Sequence, residues 1–175
     1  DGMRSLILRN LGRIIFIFLL QVVVLFSIVI DYPILDNMNI IIYPLIIILL
    51  PLRTLNVLTL IIAFILGLLI DMFYNTPGVN TAATVLIAYI RPFVLSWIEP
   101  RGGYSVESSP TLNHYGSRWF ITYASIMMLI HLFVLFSIQA FTFVYIVEII
   151  LKTIFSFIGS MSFILIYMYL FNPKE

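Results

Sequence analysis

Asp71 is the side chain in this sequence best placed to do chemistry. It lies near the end of an apolar stretch and is followed by the helix-breaking tetrapeptide Asn75-Thr-Pro-Gly78. An ionisable group at membrane depth costs about 2.5–3.5 kcal/mol on insertion scales, so it usually faces protein or water. Gly67 lies one turn earlier on the same helix face and lets a neighbouring backbone approach. The spacing predicts either a packed polar contact at Asp71 or a helix that simply ends at the membrane surface.

Glu148 and Lys152 form the second polar pair in an apolar stretch. They are spaced i and i+4 with the acid first, which is the favourable order for an ion pair within one helix. The alternative is that Lys152 reaches Asp71 and the three residues form a polar cluster on the outer side of the membrane. The spacing leaves both arrangements open.

Catalytic and metal-binding patterns are not found. The sequence has no cysteine and lacks a Ser-His-Asp arrangement, a glycine-rich phosphate loop and a His-Glu-x-x-His motif. His131 has no second ligand at metal-binding spacing, and a lone buried histidine is more often a satisfied neutral donor. An intramembrane enzyme would need Asp71 and His131 to converge on one cavity. We therefore predict a non-enzymatic protein with no catalytic residues, metal or cofactor.

Composition indicates an integral membrane protein, because 62% of the residues are hydrophobic and only 10% are charged. Long apolar runs without alternation predict helices, each of roughly 20 residues for a hydrocarbon core of about 30 Å. The predicted fold is a single all-α membrane domain over 1–175, a bundle of six transmembrane helices. Their predicted ranges are about 11–30, 38–52, 55–74, 79–98, 118–139 and 144–171. The second contains Pro44 and ends at Pro51, which predicts a kinked or re-entrant segment.

The connection between the third and fourth predicted helices should be a tight turn. Pro77 fixes φ there and Gly78 admits a positive φ. Small residues then begin the fourth helix at Thr81-Ala-Ala-Thr84 and permit close packing. The two helices are therefore predicted to form a tight hairpin.

The distribution of charge predicts that both termini are cytoplasmic. With six spans, most arginines fall on one side, whereas Asp31, Asp36, Asp71 and Glu148 fall on the other. The predicted cytoplasmic charges are Arg4, Arg9, Arg13, Arg53, Arg91, Arg101, Arg118 and Lys174. Arg91 and Arg101 are also candidate contacts for a partner. The cytoplasmic loop 99–117 is rich in Gly, Ser and Pro and has too little apolar surface to fold alone.

The stretch from Ile65 to Tyr104 resembles the signature region of the rod shape-determining protein MreD family. Members of that family have a Gly-x-x-x-Asp helix end, a turn with Pro-Gly and a following helix rich in Ala and Thr. Here the distinctive residues are Gly67, Asp71, Pro77 and Gly78. Chain length, the arginine-rich start and the six-span plan also agree with the family.

The resemblance implies a non-enzymatic subunit of the bacterial cell-elongation machinery in the cytoplasmic membrane. Such proteins bind the MreC scaffold, couple MreB filaments to RodA and its penicillin-binding transpeptidase partner, and help to maintain rod shape by organising lateral peptidoglycan synthesis. No nucleic acid is implied. On this basis Gly67, Asp71, Asn75, Pro77, Gly78, Arg91 and Arg101 are expected to pack the bundle or bind the partner.

The resemblance also implies a fold similar to the six-helix substrate-binding subunits of energy-coupling-factor transporters. That similarity supplies an alternative function, a small-molecule-binding membrane subunit of a transporter. One departure counts against it: those subunits have an Ala-x-x-x-Ala motif on their first helix, and the first predicted helix here contains no alanine.

Overall fold

A computed structural model describes residues 2–25, 38–105 and 108–171, with side chains from residue 10 onwards. Within these ranges the regular secondary structure is helical and contains no strand. The helices are α1 (Gly2–Leu19, continued by a π-helical turn over Leu20–Leu25), α2 (Leu45–Ile48), α3 (Asn56–Tyr74), α4 (Val79–Trp97), α5 (Leu112–Tyr115), α6 (Ser117–Ala140) and α7 (Ile146–Phe171, preceded by a 3-10 turn over Phe143–Tyr145). The predicted all-α class is confirmed.

Four helices of the described chain are long and apolar enough to cross a membrane. They are α3, α4, α6 and the continuous helical run Phe143–Phe171. A shorter apolar helix covers Asn10–Leu25. The long helices begin and end close to their predicted limits, because each is bounded by a clear break in hydropathy. The predicted extension of the first helix to residue 30 lies outside the described residues.

The predicted helix over 38–52 is wrong in extent. Residues 38–42 have no regular structure, and the helix covers only Leu45–Ile48. Pro44 stands immediately before this short helix, where its missing N–H costs no hydrogen bond, and Pro51 follows it. Every residue from Ile40 to Leu50 is buried. Residues 38–50, here named the buried segment, therefore run through the interior of the bundle without forming a spanning helix.

Gln21 satisfies backbone groups at the start of the buried segment. Its Oε1 accepts hydrogen bonds from the backbone N–H groups of Ile42 at 2.6 Å and Tyr43 at 3.3 Å. Its Nε2 donates to the carbonyl oxygen of Ile40 at 3.2 Å and to the Tyr74 hydroxyl at 2.6 Å. Non-helical backbone at membrane depth is tolerated only where protein or water supplies such partners. One side chain from α1 thus replaces the hydrogen bonds that a helix would provide.

Two serines of α7 serve the same purpose. The Ser156 hydroxyl oxygen accepts from the Asn39 N–H at 2.9 Å, and the Ser160 oxygen accepts from the Ile41 N–H at 2.8 Å. Both serines are fully buried. The buried segment is therefore fixed between α1 and α7 where it begins.

Arg91 satisfies the far end of the buried segment. Its guanidinium donates to the Leu50 carbonyl oxygen and, through Nε, to the Tyr123 hydroxyl at 3.1 Å. Tyr123 in turn donates to the Ile48 carbonyl oxygen at 3.3 Å. The Ile48 carbonyl belongs to the last residue of the short helix α2 and the Leu50 carbonyl follows it, where carbonyl groups lack intrahelical partners. Arg91 is only 3% exposed, so it is an internal cap and not the surface anchor or partner contact that the charge pattern predicts.

The connection between α4 and α6 is packed against the bundle by aromatic rings. Tyr115 and Trp119 have ring centroids 4.7 Å apart, and Tyr104 lies 5.4 Å from Tyr115. The Tyr104 hydroxyl donates to the Leu95 carbonyl oxygen at 2.7 Å, and burial raises the pKa of this phenol to about 12. The described part of the 99–117 loop thus packs against Trp119 of α6. This contact supplies the apolar surface that the loop itself lacks.

We expect Gln21→Leu to lower the free energy of unfolding by about 2–4 kcal/mol, because two buried amides and one carbonyl lose their partner. The measurement is unfolding of the purified protein by SDS titration in mild detergent micelles. Gln139→Leu is the matched control, since Gln139 is exposed on α6. Equal stabilities for the two variants would contradict the role given to Gln21.

Candidate functional site

The turn between α3 and α4 has the predicted form. Asn75 ends α3 in the left-handed conformation with φ 54°, and its N–H donates to the Asp71 carbonyl oxygen. Gly78 also has a positive φ, 79°, immediately before α4 begins. Asparagine and glycine tolerate this conformation best, and Pro77 between them restricts the chain. The predicted tight turn is confirmed.

The Asp71 carboxylate caps the start of α4. Oδ1 accepts from the backbone N–H of Asn80 at 3.0 Å, and Oδ2 accepts from the N–H of Thr81 at 2.9 Å. Both amides belong to the first turn of α4, where no intrahelical acceptor exists. Gly78 stands at the N-cap and has no side chain to supply one. Asp71 therefore performs from α3 the function of an N-cap, and its charge complements the helix dipole.

Three side chains complete the shell around this carboxylate. The hydroxyl of Thr76 and the amide nitrogen of Asn80 donate to Oδ1, and the hydroxyl of Thr81 donates to Oδ2 at 2.6 Å. Asp71 thus accepts five hydrogen bonds and is only 5% exposed. Hydrogen bonds to an ionised acceptor are among the stronger ones in proteins. The negative charge is therefore accommodated by dipoles of its own hairpin.

Gly67 permits the close approach of α3 and α4. A Cβ atom at this position would lie 2.4 Å from the Cα of Thr81 and 3.0 Å from its backbone nitrogen. Such distances to backbone atoms are not accommodated without moving a helix. Since Thr81 also donates to Asp71, the glycine and the carboxylate fix the same point of contact between the two helices.

A chain of hydrogen bonds connects the hairpin to the buried segment. Oδ1 of Asn80 accepts from the Tyr43 hydroxyl at 2.8 Å, and Nε2 of His131 lies 2.8 Å from the same hydroxyl oxygen. Because the hydroxyl proton points to Asn80, the hydrogen of the imidazole is assigned to Nε2, which donates to Tyr43. Asn80 and Tyr43 lie between Asp71 and His131, so these two titratable groups do not converge on one cavity.

Glu148 and Lys152 pair with each other. Their charged atoms are 3.0 Å apart within α7, and both side chains are partly exposed. The five hydrogen bonds of the Asp71 carboxylate come from residues 76–81 instead. The structure therefore shows the pairing within one helix and does not form the outer cluster of Asp71, Glu148 and Lys152. The physical reason is that the tight turn brings the free first-turn amides of α4 directly to the Asp71 carboxylate.

The remaining predicted site residues separate into two environments. Arg101 is exposed in the loop after α4, whereas Arg91 is buried.

Sequence reasoning missed Tyr43, Thr76 and Asn80. Thr76 and Asn80 had a detectable signal, because hydroxyl and amide groups cluster around the start of a helix, but nothing near Tyr43 in sequence points to its partners.

Replacing Asp71 by Asn should lower the free energy of unfolding by at least about 2 kcal/mol. An amide keeps one acceptor but places a donor against the donors of Thr81, and it removes the charge. Glu148→Gln is the control, because an exposed ion pair contributes about 0–1 kcal/mol. The measurement is the same SDS titration. If both variants lost equally little stability, Asp71 would not be the cap described here.

Gly67→Ala tests the helix contact separately from the charge. Overpacking against the Thr81 backbone should cost about 1–3 kcal/mol. Gly12→Ala is a matched control on α1, where a Cβ atom would meet nothing within 4 Å, and it should be neutral or stabilising by up to about 1 kcal/mol. Thermal unfolding in detergent, followed by circular dichroism, distinguishes the two. Similar melting of both variants would show that α3 and α4 do not approach this closely.

Comparison with known proteins does not place the chain in a family. No protein-family model matches it, and no curated protein or solved structure is significantly similar to it. A function is therefore argued from the residues and their geometry.

Proposed function

We propose that this chain is a non-enzymatic, multi-pass subunit of the bacterial cell-elongation machinery in the cytoplasmic membrane. In this proposal it binds the transmembrane segment of the MreC scaffold and thereby helps to organise lateral peptidoglycan synthesis, with RodA, its transpeptidase partner and MreB filaments as further members of the assembly. The observation that carries the proposal is that the residues resembling the MreD signature build one closely packed helical hairpin.

Each member of that signature has a structural task in the hairpin. Gly67 allows the helices to touch, Asp71 caps α4, and the Pro77-Gly78 pair forms the turn. The Asp71 carboxylate is only 5% exposed and accepts its five hydrogen bonds from residues 76–81 of the same hairpin. These residues fix the position of two helices relative to each other. This structural role supports a protein that binds a partner more than it supports a catalytic site at Asp71.

The outward surface of the hairpin suits a transmembrane partner. Beyond Asn56 at the start of α3, the exposed side chains of this helix are large and apolar, including Val57, Phe64 and Met72, and Met72 is 77% exposed. Transmembrane helices associate through van der Waals packing of such surfaces together with close backbone approach. The contact of Gly67 with Thr81 and the Asp71 cap hold the two helices in one arrangement, and a preorganised surface lowers the entropic cost of binding a scaffold helix.

We further propose six crossings with both termini cytoplasmic. The rings of Phe16 in α1 and Phe171 at the end of α7 are 5.1 Å apart, which supports placing both ends of the chain on one side. Arg53 and Arg101 are exposed on connections assigned to that same side, and Arg118 is exposed at the start of α6, in agreement with the positive-inside rule. The buried segment would then complete the second crossing in non-helical form. The similarity to substrate-binding subunits of energy-coupling-factor transporters stays a prediction.

The proposal is tested by co-expression with a tagged MreC scaffold in a rod-shaped bacterium depleted of its own MreD protein. We expect the chain to co-purify with MreC from mild detergent and to restore rod shape. Asp71→Asn should reduce recovery only in proportion to the loss of folded protein, because Asp71 acts through the hairpin and does not touch the partner.

An unrelated single-span membrane protein with the same tag is the control for non-specific recovery. Glu148→Gln should behave as the unchanged chain. Failure of the folded chain to bind MreC above the control, with cells remaining round, would contradict the proposed function.

A further inference from the structure

Tyr89 of α4 has a hydroxyl group that no other part of the described chain satisfies. The residue is 58% exposed on the outward side of the helix, and its ring lies 5.9 Å from the ring of Phe93. Within the residues that the structure describes, no hydrogen bond reaches the hydroxyl. Tyrosine hydroxyls removed from water usually have a partner, so the depth of Tyr89 in the membrane decides whether one is required.

Tyr89 lies in the middle of α4. It follows Val79 by ten residues and precedes Trp97 by eight, which are about 15 Å and 12 Å of helix. In a hydrocarbon core of about 30 Å, water at either surface is therefore beyond the reach of this side chain. Lipid chains offer no acceptor, and an unpaired hydroxyl in hydrocarbon is costly. A face of α4 that met only lipid would leave the Tyr89 hydroxyl unpaired.

Other exposed hydroxyls on the long helices are satisfied by their own backbone. Thr122 donates to the Arg118 carbonyl oxygen at 2.9 Å, and Ser162 donates to the Ile158 carbonyl oxygen at 2.8 Å. Such short side chains bond to the carbonyl four residues earlier, whereas a tyrosine hydroxyl stands too far from its own helix. Tyr89 therefore requires an acceptor that the described chain does not supply.

The exposed residues around Tyr89 have the spacing of a contact between two helices. Ala82, Leu86, Tyr89 and Phe93, here named the Tyr89 stripe, are all exposed and are separated by four, three and four residues. Steps of four and three keep side chains on one seam, as in helices that pack at about 20°. Because α4 already packs against α3 and α6, this stripe is the part of α4 left for a further helix.

We propose that the Tyr89 stripe binds the transmembrane helix of the scaffold, and that Tyr89 donates a hydrogen bond to an uncharged acceptor of that helix at mid-membrane depth. A hydroxyl, an amide or a backbone carbonyl oxygen fits, since a carboxylate is costly there. Leu86 and Phe93 supply van der Waals contact on either side of this bond, and Ala82 permits close approach of the partner. The identity of the partner rests on the proposed function, whereas the need for an acceptor does not.

The first test replaces Tyr89 by the photo-crosslinker p-benzoylphenylalanine during co-expression with the tagged scaffold. We expect irradiation to give an adduct with the combined mass of the chain and the scaffold. Ile154, which is exposed within α7, is the control position and should not give this adduct.

The outcomes of this test separate the inference from the proposed function. Co-purification of the scaffold without an adduct at position 89, or an adduct only with a second copy of the chain, would overturn the inference and leave the proposed function standing. Absence of co-purification would contradict the proposed function and would also remove the scaffold as the occupant of the stripe.

The second test is Tyr89→Phe, which removes only the hydroxyl group. Affinity for the scaffold, measured by Förster resonance energy transfer in lipid vesicles, should fall about three- to tenfold, the effect of one hydrogen bond between transmembrane helices. The free energy of unfolding of the isolated chain should not fall, because the hydroxyl has no partner there. A merely structural role would lower the stability instead.

Tyr145→Phe is the matched control, because Tyr145 is 57% exposed in the turn before α7, at an end of the helical run where headgroup water is available. It should retain the affinity of the unchanged chain. Unchanged affinity of folded Tyr89→Phe, or an equal loss in Tyr145→Phe, would overturn the hydrogen bond assigned to Tyr89.

Discussion

A non-helical backbone inside a membrane must find a partner for each of its polar groups, and the organisation of this bundle follows from that constraint. Residues 38–50 are mostly non-helical, and every residue from Ile40 to Leu50 is buried. Their amides and carbonyls are satisfied by Gln21 from α1, Ser156 and Ser160 from α7, Arg91 from α4 and Tyr123 from α6. Because an unpaired group in hydrocarbon costs several kcal/mol, each of these helices is held to the same central segment. The segment is thus the common partner around which four helices are arranged.

In the hairpin of α3 and α4, Asp71 also supplies acceptors for backbone amides that have none within their own helix. Its carboxylate satisfies the free amides of α4, and Asn80 continues the hydrogen bonds to Tyr43 in the buried segment and on to His131. The sequence left open whether Asp71 makes a packed polar contact or simply ends a helix at the membrane surface, and the geometry shows that its carboxylate caps α4. With these polar groups committed to internal contacts, the outward faces of α3 and α7 are left predominantly apolar. This division of polar interior and apolar exterior agrees with a multi-pass membrane protein.

Sequence reasoning succeeded where one residue and its near neighbours determine the outcome. The long helices follow from hydropathy, and the tight hairpin of α3 and α4 follows from the turn residues and the small residues that begin α4. The partner of Asp71 was left open. Sequence reasoning failed for the buried segment, because hydropathy measures how apolar a stretch is and not whether its backbone is helical. The partners of that segment are also distant in sequence, 119 residues apart for Ile41 and Ser160. The prediction for Arg91 failed for a related reason. The positive-inside rule assigns an arginine to one side of the membrane but says nothing of its depth. The acceptor of Arg91, the Leu50 carbonyl oxygen, lies in the buried segment, far from Arg91 in sequence.

The central claim is that side chains protect the backbone of the buried segment as effectively as a helix would. Hydrogen–deuterium exchange of the purified protein in lipid nanodiscs measures this directly, through the amides of Ile41, Ile42 and Tyr43. We predict that they exchange as slowly as the interior amides of α6, and that Gln21→Leu accelerates Ile42 and Tyr43 while Ile41, which donates to Ser160, is affected less. Exchange of all three amides in the unchanged protein as rapidly as in the exposed turn at Arg101-Gly102 would contradict the account.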